Sequence, residues 1–163
     1  RLEGDRFAPV TALRDIRGLA ADDRGLWVIS GVSLFRVIGT AAQPYVRSHP
    51  PLAVAPAPDG AWLGTEDGLE RLRLGGDDPG AVDDVLGDQD GGVRVPVVVA
   101  DGAGGCWFGA EDGTVGHVSA DGVVRIATLP APDPPTPSAL HPDGPDAVWV
   151  GTDRGLWRLR VTP

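Results

Sequence analysis

The sequence predicts an all-β fold, a β-propeller of about four four-stranded antiparallel blades or part of a larger ring. Three observations predict it. A Trp-centred segment recurs, glycines and prolines fall as turns between short apolar runs, and those runs do not alternate cleanly between apolar and polar residues.

The recurring segments are GLWVISGVSLFRV (25–37), GAWLGTEDGLERL (60–72), GCWFGAEDGTVGHV (105–118) and AVWVGTDRGLWRL (147–159). Their anchor tryptophans are Trp27, Trp62, Trp107 and Trp149, spaced 35, 45 and 42 residues apart. Periods near 40 residues that hold several strands mark propeller blades. Each unit starts with an apolar run: GLAAD, LAVAPA, VPVVVAD or PSALHP. A tight turn rich in Asp and Gly follows, then the Trp strand. A second turn with Gly68, Gly113 or Gly155 leads to the third strand. The weaker runs YVRSH, AVDDVL and VVRIATL read as fourth strands. The blades are therefore expected near 16–48, 52–86, 93–129 and 136–161, all in one domain, 1–163.

Runs such as AVWVG and PVVVA are apolar on both faces. Sheets read this way when both faces are covered, as neighbouring blades cover each other. Trp27, Trp62, Trp107, Trp149 and Trp157 are thus expected as wedges between blades. The segment DRFAPVTAL (5–13) resembles a fourth strand, and the chain stops after a third. The N-terminal strand is expected to complete the C-terminal blade and hide its edge. A segment of a larger ring, or a ring completed by a second copy or a partner chain, are the alternatives. LPAPDPPTP (129–137) is expected to stiffen the path into the last blade.

Composition narrows the function. The 24 Gly and 16 Pro of 163 residues are roughly double average usage, while five Trp argue against disorder. The net charge of −9 lacks the clustered Lys and Arg that phosphate backbones or anionic membranes require. It favours cations, basic protein surfaces or neutral ligands. No run is long enough for a membrane span. Cys106 is expected as a small buried hydrophobe. There is no methionine, so the chain is expected to be a processed product or a domain of a longer protein.

Two loop sets carry the candidate site. The second turns hold Glu66, Asp67, Glu111, Asp112 and Asp153. The links between blades hold His49, Asp88 and Asp90. In a meander both sets emerge on one face, where loops at a ring mouth build binding sites. The expectation is an acidic mouth that binds a cation or basic partner. Tight turns also favour Asp for their own geometry. Arg36, Arg71, His117 and Arg158 occupy equivalent positions on the third strands. They read as a girdle for anions, as bases paired with carboxylates between blades, or as solvated side chains on an outer strand. GDQDGG (87–92) resembles the start of a calcium loop without its closing Glu. His49, His117 and His141 fall on separate elements, without metal-ligand spacing.

AWLGTEDGLERL and VWVGTDRGLWRL resemble the repeat of the two-component-regulator propeller family. That resemblance implies an extracytoplasmic, bacterial-type sensor region that binds without chemistry of its own. DGAGGCWFGAEDGTVGHVSADGVVRIATLPAP is similar to repeats of the virginiamycin B lyase family. This second resemblance implies a metal-assisted lyase with Glu111 and His117 contributing. The residues themselves call for no cofactor and no metal, with magnesium or calcium as the alternative. The expected function is a sensor or interaction module for a protein or small ligand, with a pure assembly element as a further alternative.

Overall fold

The computed structural model describes residues 12–45, 49–75, 80–86 and 92–161. Among these, every regular element is a β-strand, and the strands form four antiparallel sheets in chain order. The first sheet holds β1 (Ile16–Asp22), β2 (Gly25–Ser30), β3 (Ser33–Ile38) and β4 (Ala41–Tyr45). The second holds β5 (Pro51–Ala57), β6 (Gly60–Thr65), β7 (Leu69–Arg73) and β8 (Val82–Asp84). The third holds β9 (Val97–Ala100), β10 (Cys106–Gly109), β11 (Thr114–Val118) and β12 (Val124–Thr128). The last holds β13 (Pro137–Pro142), β14 (Ala147–Thr152) and β15 (Gly155–Arg160). First strands lie beside first strands, β1 against β5, β5 against β9 and β9 against β13. The sheets are blades set around one axis, and the fold is a β-propeller.

The turns explain the recurring Gly-Thr-acidic-Gly run. Thr65 Oγ1 accepts a hydrogen bond from the Asp67 amide at 3.1 Å and donates to the Gly68 carbonyl at 3.2 Å. Thr152 does the same with Arg154 and Gly155, at 3.1 and 3.0 Å. Gly68 and Gly155 both have φ of 138°, a region that side chains disfavour. The turn sequence is thus a local hydrogen-bonding device as well as a source of acidic groups.

Each seam between blades joins two unlike faces. One face carries the anchor Trp and the third-strand base. The other is apolar. Trp27, Ile29 and Leu34 of the first blade meet Val54, Ala61, Leu63 and Leu72 of the second. Trp62 and Leu69 of the second meet Val98, Cys106, Phe108 and Val118 of the third. Trp107 and Val115 of the third meet Val148, Val150, Trp157 and Leu159 of the fourth. Trp27, Trp62 and Trp107 are buried, so these three indoles lie inside seams. Cys106 sits in the second seam, and burial pushes its thiol well above the usual range. At Gly64, two residues beyond Trp62, a Cβ would fall on the Val95 carbonyl, so only glycine lets the neighbouring chain this close.

The last blade departs from expectation. Trp149 is 38% exposed, because the face it occupies has no further blade against it among the described residues. Among the described residues, no second sheet packs against it. Trp157 does fill a seam, on the opposite face of the same blade and against the third. The strand expected at 5–13 lies outside the described residues as far as 11, and residues 12 and 13 form no strand. The fourth strand of the first blade is Ala41–Tyr45 rather than the expected YVRSH run. Gly39, at φ 58°, turns the chain early, and Tyr45 then reaches Trp27 with ring centroids 5.6 Å apart.

Trp107→Ala removes an indole from the centre of a seam, so it should lower the unfolding free energy by about 3–5 kcal/mol. Gly64→Ala should cost about 1–3 kcal/mol by overpacking against backbone. Gly75→Ala, which meets nothing within 4 Å, should stay within about 0.5 kcal/mol of the parent. Denaturant titration of the three variants checks the seam geometry.

Candidate functional site

The two ends of the blades differ chemically. At the end holding the first turns, the four equivalent bases are all engaged. Arg36 pairs with Asp22 and Arg71 with Asp59. His117 lies 2.8 Å from Asp101, and Arg158 lies 2.6 Å from Asp143. Each base also stacks on its own blade's Trp. The guanidinium carbons of Arg36, Arg71 and Arg158 lie 4.7, 4.3 and 5.5 Å from the rings of Trp27, Trp62 and Trp149. The His117 ring is 4.5 Å from that of Trp107. Cation–π attraction and a carboxylate thus fix each base within its own blade. The anion girdle is corrected, because every base already faces an acid. The pairing with carboxylates runs inside blades rather than between them. Among the described residues, only in the second blade does the cluster also cross a seam. There the Trp62 indole and Arg71 donate to the Gly104 carbonyl at 3.3 and 3.1 Å.

The opposite end holds the second turns and the links between blades. Among the described residues, two recesses open there. The smaller, about 230 Å³, is lined by His49, Thr65, Asp67, Gly68, Glu70, Asp84 and Gly92. His49 Nδ1 lies 3.0 Å from Glu70 Oε1, and its Nε2 lies 3.5 Å from the Asp67 carboxylate. Glu70 is only 7% exposed, and its Oε2 is buried without a hydrogen-bond partner. Glu70 stands opposite Asp84 across the β7–β8 ladder. The hydrogen bond to Glu70 raises the His49 pKa, aided by the charges of Asp67, Glu70 and Asp84 and opposed by burial. Three carboxylates therefore surround one imidazole, and the recess stays negative even when His49 is protonated. A buried carboxylate oxygen without a donor is costly, and a ligand that supplies a donor relieves that cost.

The larger recess, about 550 Å³, is lined by Glu111, Asp133, Pro134, Thr136, Ser138, Thr152, Asp153 and Arg154. Its acids are mostly partnered. Glu111 pairs with Arg94 at 2.7 Å, and Asp133 with Arg154 at 2.7 Å. Asp112 accepts the Thr114 amide at 2.9 Å and so serves its turn. Glu66 is exposed in the β6–β7 turn. Asp88, Asp90 and the calcium-like run through residue 91 lie outside the described residues. Glu111 and His117 occupy opposite ends of the β10–β11 hairpin, each with its own ion partner, so they do not converge. No group of three His, Cys, Asp or Glu suited to a metal occurs among the described residues.

Glu70 and Asp84 are the site residues that spacing did not single out. A signal exists for the first. At the position before the third-strand base, the other repeats carry Phe35, Gly116 and Trp157. Glu70 puts a carboxylate where its counterparts put bulk or nothing, on a face that packs into a seam.

No protein-family model matches the chain, and no curated protein matches it by sequence. Solved structures do. YCF48 bound to D1 peptide superposes with a TM-score of 0.74 at 17% identity, over 98% of this chain and 55% of that one. The extracellular domain of the putative one component system BT4673 from B. thetaiotaomicron gives 0.69 at 20%, over 99% of this chain and 23% of that one. Catalytically inactive H270A virginiamycin B lyase from Staphylococcus aureus with quinupristin gives 0.64 at 17%, over 91% and 56%. The chain spans about half or less of each. These likenesses show the β-propeller fold.

Burial pushes the Asp22 and Asp59 carboxyls up, but hydrogen bonds from Arg36 and Arg71, the charges of these arginines and backbone amide hydrogen bonds together outweigh it and hold both below the usual range. A carboxyl depressed in the folded state stabilises above its unfolded pKa, near pH 4, and that contribution fades as pH falls through the folded value. Between about pH 5 and pH 3, the Arg36→Met, Arg71→Met double variant should therefore lose melting temperature less steeply than the parent. Equal slopes would remove these pairs from the acid response.

Proposed function

We propose that this chain is a non-catalytic binding module, a sensor or interaction propeller, that captures a basic partner protein at its acidic loop face. The small recess of His49, Asp67, Glu70 and Asp84 receives a Lys or Arg side chain of that partner. The observation that carries this reading is Glu70: a buried carboxylate, one oxygen shared with His49 and the other lacking a donor. An incoming ammonium or guanidinium supplies that donor and offsets the surplus of negative charge. Glu66, Glu111, Asp112 and Asp153 extend the acidic rim and steer the partner over a longer range.

The neighbours fit this reading at a coarser level. One is a propeller bound to a peptide, and another is the extracellular domain of a signalling protein. An extracytoplasmic site of action is proposed on the second. No helix of the described residues is long and apolar enough to cross a membrane. The lyase alternative has fold likeness behind it and no convergence of Glu111 with His117, so no metal or cofactor is assigned.

Calorimetric titration with an acetylated Lys/Arg hexapeptide tests the proposal. Binding should weaken with added salt, and Glu70→Gln should weaken it at least about tenfold, which is 1.4 kcal/mol. A Glu hexapeptide of equal length should give no heat. Equal affinity in the Glu70→Gln variant would remove the recess from the account. The imidazolium of His49 competes with the incoming cation. Because its folded pKa lies above 6.5, peptide affinity should rise from about pH 6 to pH 8.5 as that charge is lost. His49→Ala should flatten this rise, and a fall in affinity over the same range would contradict it.

A further inference from the structure

Three seams in this chain obey one rule: the face with the anchor Trp and the third-strand base receives the opposite, apolar face of the next blade. The chain carries one more of each. On the last blade, Trp149, Gly151, Leu156 and Arg158 share a face by strand register. Arg158 already holds Asp143 and stacks on Trp149, as its counterparts do inside the seams. Yet Leu156 is 69% exposed. Gly151 also differs from its counterpart Gly64. A Cβ at Gly151 would meet its own blade's Ala139 in ordinary contact, where a Cβ at Gly64 would strike the next blade's backbone. The slot that admits a neighbouring chain is present and open. The first blade supplies the other half. Leu19 and Leu26 lie on its outward face, 63% and 40% exposed, beside Phe35 and the buried Val28 and Val37.

We propose that a second copy of this chain seats the apolar outward face of its first blade on the Trp149 face, so that two chains close one ring through two identical seams. The internal seams show what the Trp149 face accepts, and the opposite end of the same chain presents a surface of that kind. The curvature agrees. The four blades superpose on about half of two longer propeller chains, so their arc bends like part of a larger ring. A second copy is about the size of the part that remains. The contact is head-to-tail, yet it closes after two chains and leaves no end for further growth. In it, Trp149 and Arg158 face the β1–β2 turn of the copy, as Trp62 and Arg71 face the Gly104 carbonyl.

Sedimentation equilibrium on the whole chain, with Trp149→Glu and Leu19→Asp as separate variants, tests this. The parent should sediment at twice the mass of one chain at tens of micromolar. Each variant should sediment as a single chain and keep the parent's far-ultraviolet circular dichroism, since the three internal seams are untouched. An equimolar mixture of the two variants should regain part of the two-chain mass. In the mixed ring one seam combines both substitutions, while the other is wholly native. A single-chain parent would overturn the proposal and point to a segment of the same chain or a different protein on that face. A two-chain parent unaffected by Leu19→Asp would also overturn it, because the pairing would then not be head-to-tail.

Discussion

An indole laid against an aliphatic sheet is the contact on which this molecule depends. A short four-stranded blade cannot bury enough apolar surface by itself. Two faces joined around Trp27, Trp62 or Trp107 can, and an indole buries more area than any other side chain available. Once the seams exist, the rest is positioned by them. The first strands line the axis, the turns emerge at two ends, and every loop has a fixed neighbour in the next blade.

The polar clusters around each Trp follow from the same constraint. A third-strand base beside a seam cannot be left uncompensated, so the first turn supplies an acid and the ring supplies a π face. The cluster locks the hairpin turn to the outer strands. Because it uses every equivalent base, that end of the molecule has no third-strand base left for a ligand, although Asp121, Arg125 and Asp146 line a recess there. The other end is different. There the turns use threonine and glycine for their geometry, and several carboxylates are left for other work. What sets the second-turn end apart is the buried Glu70 oxygen without a donor.

Much of the fold was legible because blades repeat. Four Trp anchors at 35 to 45 residue spacing, with Asp-Gly turns between them, define sheets before any coordinate is known. The burial of Trp149 was not legible. Sequence periodicity treats the last repeat like the others, whereas burial depends on what stands beside it. The path of the first blade's outer strand was hidden too, because Ala41, Ala42 and Pro44 carry little strand propensity and are held by pairing with β3. At the site, the meeting of a second turn with an interblade link was read from meander geometry, and His49 does approach Asp67. Glu70 escaped because it sits in a strand rather than a turn. Its departure from Phe35, Gly116 and Trp157 is visible only when the repeats are aligned position by position.

The most direct measurement is fluorine NMR on the chain labelled with 5-fluorotryptophan, with each resonance assigned by single Trp→Phe substitution. The seams predict that Trp27, Trp62 and Trp107 give dispersed signals that neither shift between light and heavy water nor broaden with a soluble paramagnetic quencher. If those three indoles respond to solvent as free fluorotryptophan does, the blades do not stack around them.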